Sequence, residues 1–333
     1  MNFKELPFVS IIVPCRNEEK FIGKCLDSIV NNDYPKDRLE VLIGEGMGED
    51  KTREIIEGYI REHSFIQLFD NPKKIAPIAQ NIGLKKAKGK IIIIMDAHST
   101  YARDYISKCL EYLNKYNADN VGGVIITVPR ENTLVAKAIA FSLSHPFGAG
   151  NSYFRIGSKK PRWVDTVPFG CYKREIFEKI GFYNEKLASS YDMDFNLRLG
   201  KAGGKILLVP DIVSYYYARS TLKAFWGHNF YDGIWVIYPL RFGIKIFSWR
   251  HLTPLVFVTG LIGSGILSIF FWPFFFIFLF IIGLYLFTNI YFSIKISRKE
   301  NNFRYLFLMP ITFAVRHIGY GLGSIFGLIK LFV

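Results

Sequence analysis

Unbroken apolar runs alternate, over the first hundred residues, with stretches where apolar positions recur every third or fourth residue. "FVSIIVP", "LEVLIGEG", "IQLFDN" and "KIIIIMD" are the continuous runs and read as buried strands. Between the first two, "EEKFIGKCLDSIV" sets Phe21, Ile22, Cys25, Leu26 and Ile29 at helical spacing. "DKTREIIEGYIREH" and "IAPIAQNIGLKKAKG" predict two further helices, the second closed by Gly89. Strands separated by helices of this length predict an α/β fold with a mostly parallel, twisted sheet covered on both faces. Beyond Tyr101 come a helix, "YISKCLEYLNKY", and a strand, "NVGGVIITV". The pattern then loosens into loops rich in Gly, Pro and aromatics before a helix at "YDMDFNLRLGKAG" and a strand at "KILLVP".

The last third reads differently. No charged residue occurs from Leu252 to Ile294, and a second apolar stretch runs from Phe303 to Val333. About 20 apolar residues suffice to span a bilayer, so spans are expected at 253–271, 274–294 and 305–329, with "FWPFF" around Pro273 as the turn of a hairpin. Arg316 and His317 fall inside the third and should face protein, headgroups or a polar ligand. Residues 238–252 mix aromatics with Arg241, Lys245 and Arg250, as suits a membrane interface. The expected domains are an α/β part over 1–237, an interface segment over 238–252 and a membrane part over 253–333.

Composition sharpens this picture at three points. The net charge of +14 admits a nucleic-acid partner, but the basic residues build no recognised nucleic-acid motif. Lys295, Arg298, Lys299 and Arg304 lie between the expected second and third spans, and cytoplasmic loops favour such residues. They predict a multi-pass protein of the cell membrane, with its amino-terminal part in the cytoplasm beside anionic membrane lipids. The amino terminus lacks the pattern of a secretory signal. Cys15, Cys25, Cys109 and Cys171 have neither CxxC spacing nor framework density and are expected as reduced thiols.

In parallel sheets ligands bind beyond the carboxyl ends of the strands. "PCRNEE", "GEGMGED" and "MDAH" stand at three such ends, which converge on one crevice. If the fourth strand stays extended, Asp96 and His98 share a face. A carboxylate and an imidazole there can ligate Mn²⁺ or Mg²⁺, and the ion would assist departure of a diphosphate. Taken alone, Asp-x-His is equally a loop cap and a backbone-bonded histidine.

The motifs do not stand alone. "SIIVPCRNEEKFIGKCLDSI", "LEVLIGEGMGEDKT" and "AQNIGLKKAKGKIIIIMDAH" resemble the family-2 glycosyltransferases of GT-A fold. "GAGNSYFR", "VDTVPFGCYKREIF", "YDMDFNLRLGKAGGKI" and "YYYARSTLKAFWGHNFYDG" extend the resemblance to the succinoglycan-biosynthesis glucosyltransferase subgroup, whose metal motif is Asp-Ala-His. It covers about residues 8–240. It implies a GT-A nucleotide-diphospho-sugar transferase fold followed by carboxy-terminal transmembrane helices.

Carried over by position, the resemblance implies that Pro14, Arg16 and Glu18 line the nucleoside pocket, with Glu18 accepting from ribose hydroxyls. Glu45 stands where the family has an Asp facing the base edge, one methylene longer. Asp96 contacts nucleotide and metal, and His98 is the second metal-side ligand. The family's base is the Asp of a Glu-Asp pair at a helix start; here the pair is Tyr191-Asp192, which makes Asp192 the expected base. Loss of the acidic neighbour removes a charge that would raise the carboxylate pKa. Asp194 is either a substitute or a solvated helix residue. Arg155 suits a diphosphate or lipid phosphate and equally an ordinary surface position. Arg219 and His228 stand where family members contact acceptor and diphosphate. "GHNFYDGIW" lacks the Gln-x-x-Arg-Trp of processive synthases, which favours transfer of a single sugar.

The expected activity is therefore inverting transfer of one sugar from a nucleotide-diphosphate donor, UDP-linked, to a lipid-linked acceptor. The rival expectations are transfer straight to polyprenyl phosphate and a catalytically silent, sugar-binding assembly subunit. A transporter would need more spans and a smaller polar part.

Overall fold

The computed structural model describes residues 6–246 and 249–332. β1 (Val9–Cys15) leads through α1 (Ile22–Val30) to β2 (Leu39–Glu45), and α2 (Thr52–Glu62) leads to β3 (Ile66–Asp70). α3 (Ala76–Lys86), β4 (Ile91–Ile94), β5 (Ser99–Tyr101), α4 (Tyr105–Lys115) and β6 (Asn120–Pro129) follow. Three helices, α5 (Leu134–Ser144), α6 (Pro146–Ala149) and α7 (Tyr153–Ile156), precede β7 (Arg162–Trp163) and β8 (Cys171–Lys173). Next come α8 (Glu175–Ile180), α9 (Tyr191–Lys201), β9 (Ile206–Ala218) and α10 (Leu222–Ile237). The last elements are α11 (Trp249–Leu267), α12 (Pro273–Lys299) and α13 (Arg304–Ile329).

These elements form two compact units. The first holds the described residues up to Ile126 together with Gly157–Tyr216; the second holds Thr127–Ile156 and the described residues from Tyr217 on.

In the first unit the strand order is β3-β2-β1-β4-β8-β6-β9-β5, with β7 beside β9. β3, β2, β1 and β4 are parallel, as expected. The other half is antiparallel, so the sheet is mixed and only in part parallel: β8 runs against β4, and β5 and β7 against β9. β7 and β8 come from the stretch where the apolar pattern loosens. The unbroken runs are explained by burial on both faces: Ile11, Ile12, Val41, Ile43, Ile92 and Ile93 are all in the core. Each such side chain contributes about 1.5–3 kcal/mol through its burial. α1 covers one face with Ile22, Cys25, Leu26 and Ile29. All four cysteines are free and buried.

Gly89 does not close α3, which ends at Lys86 with Ala87 as its cap. It serves a close approach instead. Its N–H donates to Ser10 Oγ (2.8 Å), Ser10 donates to Glu40 Oε1 (2.5 Å), and a Cβ on residue 89 would lie 2.6 Å from the Ser10 nitrogen.

In the second unit α11 and α12 are long and apolar enough to cross a membrane, and Pro273 opens α12 where the hairpin turn was expected. The expected third span forms α13, which does not meet the same standard of apolarity. One face of it is buried inside the unit: Tyr305, Met309 and Phe313 form a core with Ala138 of α5 and Ile296 of α12. Arg316 and His317 face protein. Arg316 Nε donates to the Gly148 carbonyl, and His317 Nε2 lies 2.8 Å from that of Phe147. The expected interface segment contains a 3-10 turn at Tyr238–Phe242, and its residues 247–248 lie outside the described residues.

Candidate active site

The carboxyl ends of β1, β2 and β4 each carry a charged motif, and loop hydrogen bonds lock the first two motifs together. Glu18 N–H donates to Thr52 Oγ1 (2.7 Å), Glu19 N–H to Asp50 Oδ2 (3.0 Å), and Glu49 N–H to Asn17 Oδ1 (2.9 Å). Glycine at 48 leaves room for these contacts: a Cβ would sit 2.5 Å from Asn17 Oδ1 and 3.1 Å from Glu45 Oε1, so both side chains would have to give way.

Pro14 is half-buried and pairs with Gly44 across β1 and β2; Arg16 is exposed and lays its stem along Gly46. Glu45 is only 1 % exposed. Its Oε1 accepts from Gly48 N–H (2.7 Å) and its Oε2 from Arg53 Nη2 (3.1 Å); the same Arg53 nitrogen also binds Asp70. The carboxylate expected at the base edge thus braces the loop between β2 and α2. Arg53 is a residue that the motif comparison passed over, although an Arg eight positions after a strand-end acid is the signal that could have found it.

Asp96 and His98 do not lie on an extended strand. β4 ends at Ile94, and the chain turns before β5, with Ser99 N–H reaching the Asp96 carbonyl at 3.3 Å. The Tyr101 hydroxyl holds this turn, accepting from Asp96 N–H at 2.8 Å, while Cys25 Sγ donates to the Asp96 carbonyl. The turn still brings the expected groups together. His98 Nδ1 stands 3.1 Å from Glu18 Oε1, and its ring packs edge-on to Tyr216. Burial raises the Asp96 carboxyl above its ordinary range, with His98 opposing the rise and Glu18 adding to it.

Among the described residues no three His, Cys, Asp or Glu side chains stand together as a metal cage. Asp96 and His98, within electrostatic reach of each other, are the two donor side chains at this turn; a hard divalent ion held by one carboxylate and one imidazole takes its remaining ligands from phosphate oxygens and water.

Asp192 occupies the first turn of α9, after Ser190 in the left-handed conformation (φ 60°). It is open to solvent, yet surrounding protein is the main cause that lifts its pKa, and Asp96 adds to the rise. Both facts fit a carboxylate on the wall of a cleft. Tyr191 is within electrostatic reach of Asp96 and Asp192, and the buried Gln80 amide bonds to its hydroxyl. Asp194 is not a solvated helix residue: it is 4 % exposed and its Oδ2 accepts from Arg198 Nε at 3.0 Å. Arg198 also donates to the carbonyls of Ile180 and Phe182, so this pair anchors the approach to α9.

Arg155, Arg219 and His228 belong to the second unit. Arg155 lies on α7. Arg219 Nη2 comes within 3.5 Å of His228 Nδ1, and His228 Nε2 within 3.5 Å of Asp232 Oδ2, which makes a polar ladder at the start of α10.

The sequence matches the family described as "Glycosyl transferase family 2" over residues 10–181. It is 34 % identical, over 66 % of this chain and 69 % of the relative, to the dolichyl N-acetyl-alpha-D-glucosaminyl phosphate 3-beta-D-2,3-diacetamido-2,3-dideoxy-beta-D-glucuronosyltransferase of Methanococcus voltae. It is 28 % identical to the succinoglycan biosynthesis protein ExoA of Rhizobium meliloti, over 77 % of this chain and 84 % of that one. Among solved structures, the Pyrobaculum calidifontis mannosyltransferase PcManGT, in complex with GDP-Man and Mn²⁺, superposes with a TM-score of 0.61. The match covers 97 % of this chain and 88 % of that one at 16 % identity, and shows a common GT-A fold. The chain is therefore a glycosyltransferase, a member of glycosyltransferase family 2.

Proposed function

We propose that the chain is a membrane-anchored, inverting glycosyltransferase that moves one sugar from a UDP-linked donor to a saccharide carried on a lipid phosphate, in glycan assembly. The observation that carries this reading is the division of the cleft. Glu18, Asp96 and His98 gather at the ends of β1 and β4, whereas Asp192 comes from α9 and still feels the Asp96 charge.

Asp96 and His98 would hold Mn²⁺ or Mg²⁺, which supplies charge neutralisation for the departing diphosphate. Pro14, Arg16 and Glu18 bind the nucleoside side. Asp192 takes the proton from the acceptor hydroxyl while that oxygen attacks the anomeric carbon from the face opposite the leaving group. A raised carboxylate pKa suits this duty, and it weighs against a catalytically silent subunit. The Methanococcus relative, named for transfer onto a dolichyl phosphate-linked sugar, supports a lipid-linked acceptor over direct transfer to polyprenyl phosphate. α11 and α12 anchor the chain, α13 is the third span, and the basic residues between α12 and α13 keep the catalytic unit cytoplasmic.

The test is transfer by the full chain in detergent with Mn²⁺, a panel of UDP- and GDP-sugars, and lipid-linked acceptors, followed by mass spectrometry of the lipid fraction. A single added sugar residue is expected. A ladder of additions would overturn the single-transfer reading, and absence of donor consumption with every sugar would overturn the enzyme.

A further inference from the structure

The turn that joins α11 to α12 is as apolar as the two helices. It reads Ser268-Ile269-Phe270-Phe271-Trp272, and Pro273 then opens α12. Turns are usually built from Gly, Pro, Asn, Asp and Ser; this one has a single hydroxyl before its proline. Ile269 (77 %), Phe270 (73 %), Phe271 (59 %) and Trp272 (72 %) all stand open. A contiguous apolar patch of this kind is out of place in water.

The backbone of the turn is equally self-contained. Ser268 N–H donates to the Ser264 carbonyl (2.9 Å), and Ile269 N–H to that of Ile266 (3.2 Å). Phe270 and Phe271 N–H both donate to the Leu267 carbonyl, at 3.1 and 2.8 Å. Phe274 and Phe275 N–H donate to the carbonyls of Phe271 and Trp272, each at 3.0 Å. Pro273 has no N–H to satisfy, which leaves the Trp272 N–H as the one without such a bond among the described residues of the turn. The hydroxyls fold inward too. Ser268 Oγ donates to the Gly265 carbonyl (2.6 Å), Ser264 Oγ to that of Gly260 (2.6 Å) and Thr259 Oγ1 to that of Leu255 (2.7 Å). On α12, Thr288 Oγ1 donates to the Leu284 carbonyl (2.9 Å). Hydrocarbon offers no partner to a stray polar group, so bonding within the segment is what it demands. Water makes no such demand.

Length points the same way. Arg250 on α11 and Lys295, Arg298 and Lys299 on α12 lie at the helix ends away from the turn, and no charge stands between them and it. The 18 residues from Arg250 to Leu267 rise about 27 Å. The hydrocarbon of a bilayer is about 30 Å thick. With its charged end at the near headgroups, α11 stops short of the far ones. α12 is longer, but its last turns carry the three basic residues and belong outside the near face.

We infer that the turn Ser268–Trp272 is a lipid-binding surface that ends among the acyl chains of the far leaflet. Trp272, whose ring suits the boundary between hydrocarbon and headgroups, is its outermost residue. The hairpin presents no loop to the water beyond. This inference rests on the reading of α11 and α12 as a membrane anchor.

The experiment is site-directed spin labelling of the full chain in liposomes, with oxygen as the collision probe for lipid and a nickel chelate as the probe for water. The four native cysteines are buried, so a thiol label goes to the introduced one. Ile269→Cys and Phe270→Cys probe the turn, and either decides if the other misfolds. Ile262→Cys reports an exposed position within α11, and Glu300→Cys one in the loop between α12 and α13. At the turn, oxygen collisions should dominate and chelate collisions nearly vanish, as at Ile262→Cys, whereas Glu300→Cys should meet the chelate freely. A turn reached by the chelate as readily as Glu300→Cys would be in water, and the inference would be overturned. Exclusion of oxygen and chelate alike would also overturn it, since protein rather than lipid would cover the turn. The two readings fail separately. If Ile262→Cys is wet as well, α11 is no membrane segment and the anchor itself falls. If Ile262→Cys lies in lipid while the turn is wet, the anchor stands and the lipid-binding turn does not.

Discussion

His98 Nδ1 stands 3.1 Å from Glu18 Oε1, which ties the loop after β1 to the turn after β4 across 80 residues of sequence. With Nδ1–H donated to the carboxylate, the lone pair of Nε2 is left for a metal, the usual way in which an outer acceptor fixes a ligand's tautomer. Glu18→Gln should therefore weaken Mn²⁺ binding about 10- to 100-fold. Manganese titration monitored by electron paramagnetic resonance checks this, and an unchanged affinity would mean that the Glu18 contact does not orient His98 for a metal.

Asp96→Asn removes a charged oxygen donor and should abolish transfer while weakening nucleotide binding when Mn²⁺ is present. His98→Ala should be milder and regain activity as Mn²⁺ is raised. Turnover measured across a metal series separates the two, and wild-type turnover in Asp96→Asn would exclude a metal role for this carboxylate.

Asp192→Asn should leave donor binding nearly intact and reduce turnover by about two to four decades, the usual share of general-base catalysis. Size and most hydrogen bonding are kept, so the fold should be as well. Calorimetric donor affinity beside single-turnover rates provides the check. Lost affinity with retained turnover would point to a different base, and the buried Asp194–Arg198 pair would not be the replacement.

The pH dependence follows from the same carboxylate. Its pKa is raised, and its active form is ionised, so activity should fall as pH drops through a value above the ordinary aspartate range. Tyr191→Glu adds a negative neighbour and should move that acidic limb to higher pH. Rate profiles of kcat/KM for both proteins decide it, and coincident limbs would mean that residue 191 does not influence the base.

Arg53→Ala leaves the buried Glu45 with only the Gly48 N–H and frees Asp70. The loss should be about 2 kcal/mol, read as a melting temperature lower by a few degrees, together with weaker nucleotide binding. Thermal scans with and without UDP check both halves.

The strands of the parallel half were legible because strands covered on both faces have to be apolar throughout, and β1, β2 and β4 are. The antiparallel half was not: β5 and β8 have three residues each, too few to show a period, and their partners lie far away in sequence. The strand-end motifs placed Asp96, His98 and Glu18 in one crevice. They could not reveal that Glu45 is spent on Arg53 or that Asp194 is buried, because an acid's partner is fixed by tertiary packing and not by its neighbours in the chain. Apolar content alone likewise suggested a lipid-facing α13, while the structure turns one of its faces toward α5 and α12.

α13 also meets α10 through Gly323 and Gly327, where the smallest added side chain would strike the Phe230 and Ile234 carbonyls. With main chain against main chain, there are no long side chains whose rotamers could absorb a slide of one helix past the other. The two helices are thus coupled like a key in a slot: α10 can tilt or turn only if α13 goes with it. His228 lies on α10 between Phe225 and Phe230, on the stretch that α13 grips, so its place is set by the fit of these two helices.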